Sequence, residues 1–142
     1  MISYEITSVT GWLMLVLLVA IIAYPFLLRA GFLGLARPFL ARMRFHYWTS
    51  YILAGTLAIH ILASTSSSLM ATVNATGLYL ATVALFLVIA QILLGRQLTS
   101  PKLTARRLMR RWHFWTMLTL VGFILAHVVL DSPMFQVLLA HR

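Results

Sequence analysis

The stretch HYWTSYILAGTLAIH at residues 46–60 decides the reading of this chain, because HFWTMLTLVGFILAH at residues 113–127 repeats it 67 positions later. Six of the fifteen aligned positions are identical: both histidines, Trp48 and Trp115, Thr49 and Thr116, Leu53 and Leu120, and Gly55 and Gly122. Tyr47 and Phe114 are both aromatic, and the same offset sets Arg44 on Arg111 and Arg29 on Arg96. Coincident His, Trp, Thr and Gly exceed what two unrelated apolar helices share through composition alone. The repeat predicts two similar helical hairpins in parallel orientation, related by an axis along a membrane normal.

The membrane enters through composition. Of 142 residues, 62% are hydrophobic and only 9% are charged, more apolar surface than a soluble domain of this size hides. Four apolar runs stand out: Trp12–Leu28, Phe45–Ala63, Ala75–Leu94 and Trp112–Leu130. Each approaches the roughly 20 residues that a helix needs to cross the hydrocarbon. A segment there must satisfy its own backbone hydrogen bonds, so helices are expected. The predicted fold is an all-α integral membrane four-helix bundle, a single domain over residues 1–142. Trp12, Tyr47, Trp48, Tyr79, Trp112 and Trp115 lie near the span ends, as an aromatic belt requires.

The net charge of +9 has a topological reading. Arg29, Arg37, Arg42 and Arg44 follow the first span, and Arg96, Lys102, Arg106, Arg107, Arg110 and Arg111 follow the third. The connection Ser64–Asn74 carries no charge. Both basic loops are therefore expected on the cytoplasmic side and both termini outside, in a bacterial cytoplasmic membrane. A nucleic-acid partner is not expected, and lipid headgroups are. Met1–Gly11 has no positive n-region, so no cleaved signal peptide is expected. Phe32–Met43 reads as an amphipathic interfacial segment. Asp131-Ser132-Pro133 reads as a cap opening a short outer tail helix over residues 133–140.

Histidines inside apolar spans are costly and mark function. Fourteen residues at about 100° each leave two histidines some 40° apart around a helix and about 21 Å apart along it. Because the second and fourth spans run the same way, His46 is expected to meet His113 at the cytoplasmic end. His60 then meets His127 at the outer end. Each pair suits the two axial positions of one haem iron. The absence of cysteine excludes disulfides, Cys-bound clusters and covalent haem attachment. The expected cofactors are thus two non-covalent b-type haems, with His46, His113, His60 and His127 on the iron. Arg42, Arg44, Arg110 and Arg111 flank the inner pair and are candidate contacts for haem propionates.

The residues around the histidines extend this reading. Leu53 and Leu120 lie between the ligands on the histidine stripe and are expected to fill the gap between the haems. Gly55 and Gly122 point away from that stripe, which assigns them to close packing against the first and third spans. Thr49, Thr56 and Thr116 sit at the stripe's edge, where a hydroxyl either orients an imidazole or bonds back to its own helix. Asp131 follows His127 by one turn, where a hydrogen bond near the outer site is one reading and capping of the tail helix the expected role. Gln91 is a lone polar group inside the third span, suited to a hydrogen bond across helices and, more weakly, to a quinone. His141 has no partner at matching spacing and reads as a surface residue.

The segments RFHYWTSYILAGTLAIH and RRWHFWTMLTLVGFILAH resemble the ferric reductase-like transmembrane domain, a family of membrane di-haem b-type cytochromes. The first histidine of each ligand helix is expected at the cytoplasmic end, as in that family, whereas cytochrome b of the quinol–cytochrome c oxidoreductases runs the other way. The resemblance covers the four-helix core. It implies transmembrane electron transfer through two bis-histidine haems. The family's flavin and nicotinamide domain is missing, so the resemblance implies a subunit fed by a separate redox partner: a flavoprotein, an iron–sulfur protein, a c-type cytochrome or quinone. The runner-up reading is a quinol or metal reductase with a substrate pocket beside one haem, for which no acid–base constellation is present. A haem-free scaffold or transporter is a third class, for which the duplicated spacing is unnecessary.

Overall fold

The computed structural model describes residues 2–30, 43–66, 75–100 and 102–131. They form four helices: α1 (Ile2–Arg29), α2 (Arg44–Thr65), α3 (Ala75–Leu98) and α4 (Arg106–Asp131). No strand occurs among the described residues. The tail segment 133–140, the interfacial segment before Met43, and Arg37, Arg42 and His141 lie outside them. The helices overrun the apolar runs, by ten residues at the start of α1 and six at the start of α4. Hydropathy marks what can sit in hydrocarbon, whereas the helix continues through polar residues with adequate propensity, as in the basic turn Arg106–Arg111.

Three of the helices are long and apolar enough to cross a membrane: α1 from Glu5 to Arg29, α3 and α4. The 22-residue α2 is less apolar, because it carries His46, His60 and several Thr, Ser and Tyr residues. The expected four spans are therefore three by this measure.

The chain divides into two compact units, Met1–Ala71 and Thr72–Arg142, matching the two halves of the repeat. In the first, α1 packs on α2; in the second, α3 packs on α4. Both pairs are antiparallel: in the first, Thr7 lies beside His60 and Ile21 beside His46. Each seam is narrow and mixes small or hydroxyl-bearing side chains with aliphatic ones. Thr10, Leu18, Ile21 and Leu28 are the buried residues of α1, facing Thr49, Thr56 and Ala63 of α2 at seven-residue spacing. Gly77, Ala84 and Val88 are the buried residues of α3, and Leu120 that of α4. The alignment of the halves sets Thr10 on Gly77 and Ile21 on Val88, so equivalent positions form the two seams. Small residues in such seams let backbones approach and gain dispersion contact.

The hydroxyls of α2 satisfy themselves within the helix. Thr49 donates to the Phe45 carbonyl at 2.7 Å and Thr56 to that of Ile52 at 2.9 Å. Back-bonding of this kind hides the polar group in an apolar seam, and it decides between the two roles open to Thr49 and Thr56. Outside the seams the large apolar side chains stay uncovered: Val16, Val19, Phe86 and Leu62 are 65% to 68% exposed.

Gln91 provides the polar lock of the second unit. Its Nε2 donates to the His113 carbonyl at 2.8 Å and to the Thr116 hydroxyl at 2.6 Å, while Thr116 donates to the Trp112 carbonyl at 2.8 Å. Its carboxamide nitrogen is thus engaged in joining α3 to α4. Replacing Gln91 by leucine removes both bonds, each worth about 0.6 kcal/mol and at most about 1.7 in a membrane interior. The expected result is a loss of roughly 1–2 kcal/mol in reversible denaturation from detergent micelles.

Candidate functional site

Three of the four repeat histidines point Nδ1 at acceptors within their own unit. His46 Nδ1 lies 3.1 Å from the Ile21 carbonyl, His60 Nδ1 3.1 Å from the Thr7 carbonyl, and His127 Nδ1 3.2 Å from the Gly77 carbonyl. A carbonyl oxygen only accepts, so Nδ1 carries the proton in each of these rings. In a neutral imidazole the other nitrogen, Nε2, then holds the lone pair. An imidazole that donates Nδ1–H to a carbonyl or carboxylate and offers Nε2 is prepared for a metal, with tautomer and ring orientation fixed from behind.

Each contact has a local cause. Pro25 lacks an N–H, so it cannot make the helical bond to the carbonyl four residues earlier, that of Ile21. His46 supplies the missing donor from α2. At His60 the ring rests on Gly11, where an added Cβ would stand 3.4 Å from Cε1. Thr10 donates its hydroxyl proton to the Ile6 carbonyl at 2.6 Å, and its oxygen lies 3.1 Å from His60 Nδ1 as a second acceptor. Thr10 is the threonine that orients an imidazole, and it lies on the neighbouring helix rather than on the histidine stripe. His113 packs against Gly95, where an added Cβ would meet Cε1 at 3.6 Å. His127 donates to the Gly77 carbonyl, and the Asp131 carboxylate stands close by, with Oδ2 2.8 Å from Nδ1.

The glycine assignments change accordingly. Gly55 and Gly122 are exposed, with nothing within 4 Å of an added Cβ, and Gly122 lines an open apolar groove with Leu80, Thr119, Phe123 and Ala126. They do not pack against the first and third spans. The histidine side of α2 itself leans on α1, so a residue opposite the histidines points outward. The glycines of close approach are Gly11, Gly77 and Gly95, on the helices without the ligand candidates.

The other expected site residues fall as follows. Arg44, Arg110 and Arg111 are exposed near the starts of α2 and α4, and Arg42 lies outside the described residues. Arg106 has a structural role, donating to the carbonyls of Leu98 at 3.2 Å and Ser100 at 2.7 Å beyond the end of α3. Leu120 is buried and Leu53 half-buried. Asp131 is the last residue of α4 and turns its carboxylate to His127. Among the described residues no three His, Asp or Glu side chains gather to hold a metal ion unaided. An iron already held by a porphyrin asks the protein for only two ligands.

The chain matches no protein-family model, no curated protein and no solved structure.

Proposed function

We propose that this chain is a di-haem membrane cytochrome b, resembling the ferric reductase-like transmembrane domain, that carries electrons across a membrane as a subunit of a larger redox complex. The observation that carries the reading is the shared orientation of His46, His60 and His127. Each turns Nδ1–H to a backbone carbonyl of its own hairpin, the orientation of a histidine held from behind for a metal. A proton-carrying or purely structural histidine has no need of that arrangement three times over.

In this reading the two hairpins join into a four-helix bundle. The register of the repeat pairs His46 with His113 and His60 with His127, one haem to each pair. A haem iron supplies reversible one-electron chemistry when bound. The chain's part is to hold the rings in one tautomer, to keep water from the iron, and to set its electronic environment through groups behind each ligand. Arg44, Arg110 and Arg111 then serve the propionates of one haem, and the uncovered apolar side chains such as Val16 and Phe86 face lipid or the other hairpin. Both termini lie outside a bacterial cytoplasmic membrane, with a flavoprotein, iron–sulfur protein, c-type cytochrome or quinone as redox partner.

The test is a reduced-minus-oxidised absorption spectrum of the protein purified in detergent. A b-type α-band is expected; its absence from protein expressed with ample haem contradicts the reading and favours a haem-free scaffold or transporter. The role of Pro25 is checked on the same material. With alanine at 25, a backbone N–H competes with His46 for the Ile21 carbonyl. Both haems should be retained, with a small upward shift in the midpoint potential only of the haem held by His46 and His113, read by redox potentiometry.

A further inference from the structure

The two halves of the repeat differ in charge just beyond their second histidines. His60 and His127 are equivalent, yet the residue one turn later is Ser64 in the first half and Asp131 in the second. Ser64 donates its hydroxyl to the carbonyl of His60 itself, at 2.7 Å. Asp131 reaches the ring, with Oδ2 2.8 Å from His127 Nδ1. The whole chain has two acidic residues, Glu5 and Asp131, against eleven Lys and Arg. One of the two therefore sits on a ligand candidate, with only 19% of its side chain exposed, rather than on a cation.

The room for that carboxylate is made by a third residue. Gly77 is buried in the α3–α4 seam, and a Cβ built there would run into the carboxylate of Asp131. At the aligned position α1 carries Thr10, whose hydroxyl is a neutral acceptor for His60. The first half thus backs its histidine with a carbonyl and a hydroxyl, and the second with a carbonyl and a carboxylate.

We infer that Asp131 is a positioning residue that lowers the redox potential of the haem held by His60 and His127, an inference that rests on the di-haem reading above. A carboxylate this close to Nδ1 favours positive charge on the ring and raises electron density at Nε2, which makes the imidazole a stronger donor. A stronger donor and a nearby negative charge both favour ferric over ferrous iron. The haem held by His46 and His113 has no acidic residue beside its described ligands, so the two haems are inequivalent by construction.

The experiment is redox potentiometry on the full chain in detergent, resolving both haems, for the wild type, Asp131→Asn and Gly77→Ala. Asparagine keeps the size of the side chain and removes the charge. One of two haems is expected to become easier to reduce by a tenfold or larger change in equilibrium constant, 59 mV for a one-electron couple, while the other stays in place. In Gly77→Ala the acid is retained but displaced by the new methyl, and the same haem is expected to shift the same way. Where Asp131→Asn does not accumulate, Gly77→Ala decides by the same reading. Two haems whose potentials ignore both substitutions overturn the inference alone and leave a simple intrahelical contact. A wild type without haem overturns the di-haem reading and the inference with it.

Discussion

Replacing His60 with alanine is expected to remove one haem from each chain and leave the other in place. His60 and His46 share one side of α2 but stand about 21 Å apart along it, so one ligand can be deleted without reaching the other. The substitution removes the proposed Nε2 ligand and, with it, the Nδ1–H bonds to the Thr7 carbonyl and the Thr10 hydroxyl. The Thr7 carbonyl lies in regular helix and Thr10 keeps its bond to the Ile6 carbonyl, so α1 retains its backbone and hydroxyl partners. A haem left with His127 alone has half its protein ligands and should be lost on purification. The check is the haem-to-protein ratio, expected to halve, with the surviving haem unchanged in spectrum and potential. Selective loss of the haem assigned to His46 and His113 would refute the pairing, and an unchanged ratio would refute ligation by His60.

The second large effect needs no change to a ligand. Gly11 and Gly95 lie on α1 and α3 with the rings of His60 and His113 resting on them. Alanine at either place meets the ring at 3.4 or 3.6 Å, ordinary van der Waals contact, and is expected to be tolerated. Leucine carries further carbons beyond Cβ into space the ring occupies, so the ring must leave its place. Gly11→Leu is therefore expected to lose the haem of His60, and Gly95→Leu that of His113. Every proposed ligand is intact in both variants. Haem content and circular dichroism measured together separate ring displacement from unfolding: helicity is expected to persist while one haem goes. Leucine variants with full haem content would mean that the histidines do not need the orientation seen here.

These glycines also show what the sequence could not display. The histidine repeat, the apolar runs and their helical character were legible, because periodicity and composition act over many residues and each helix reports itself. The rotation of each helix was not. On α2 the histidines, Thr49, Thr56 and Ala63 share one broad side, and nothing in a single helix tells which part of it meets the neighbour. Gly55 and Gly122, conspicuous as an aligned pair, turn out exposed, while Gly11 and Gly77 have no glycine counterpart in the other half. The acceptors behind the rings were illegible for a related reason. The carbonyls of Thr7, Ile21 and Gly77 belong to the backbone, which every residue possesses. Only Pro25, four residues after Ile21, signals which carbonyl is released, and that signal acquires meaning once His46 is placed opposite. Asp131 was visible as an acid one turn beyond His127, but its role required knowing that α4 continues through it.

The most direct measurement of the central claim is the haem-to-protein ratio with spin state, taken side by side for the wild type, His46→Ala, His60→Ala and the double variant. Two low-spin haems per chain are expected in the wild type, one in each single variant and none in the double. A high-spin wild type, or a double variant that keeps its haem, would contradict axial ligation by these histidines.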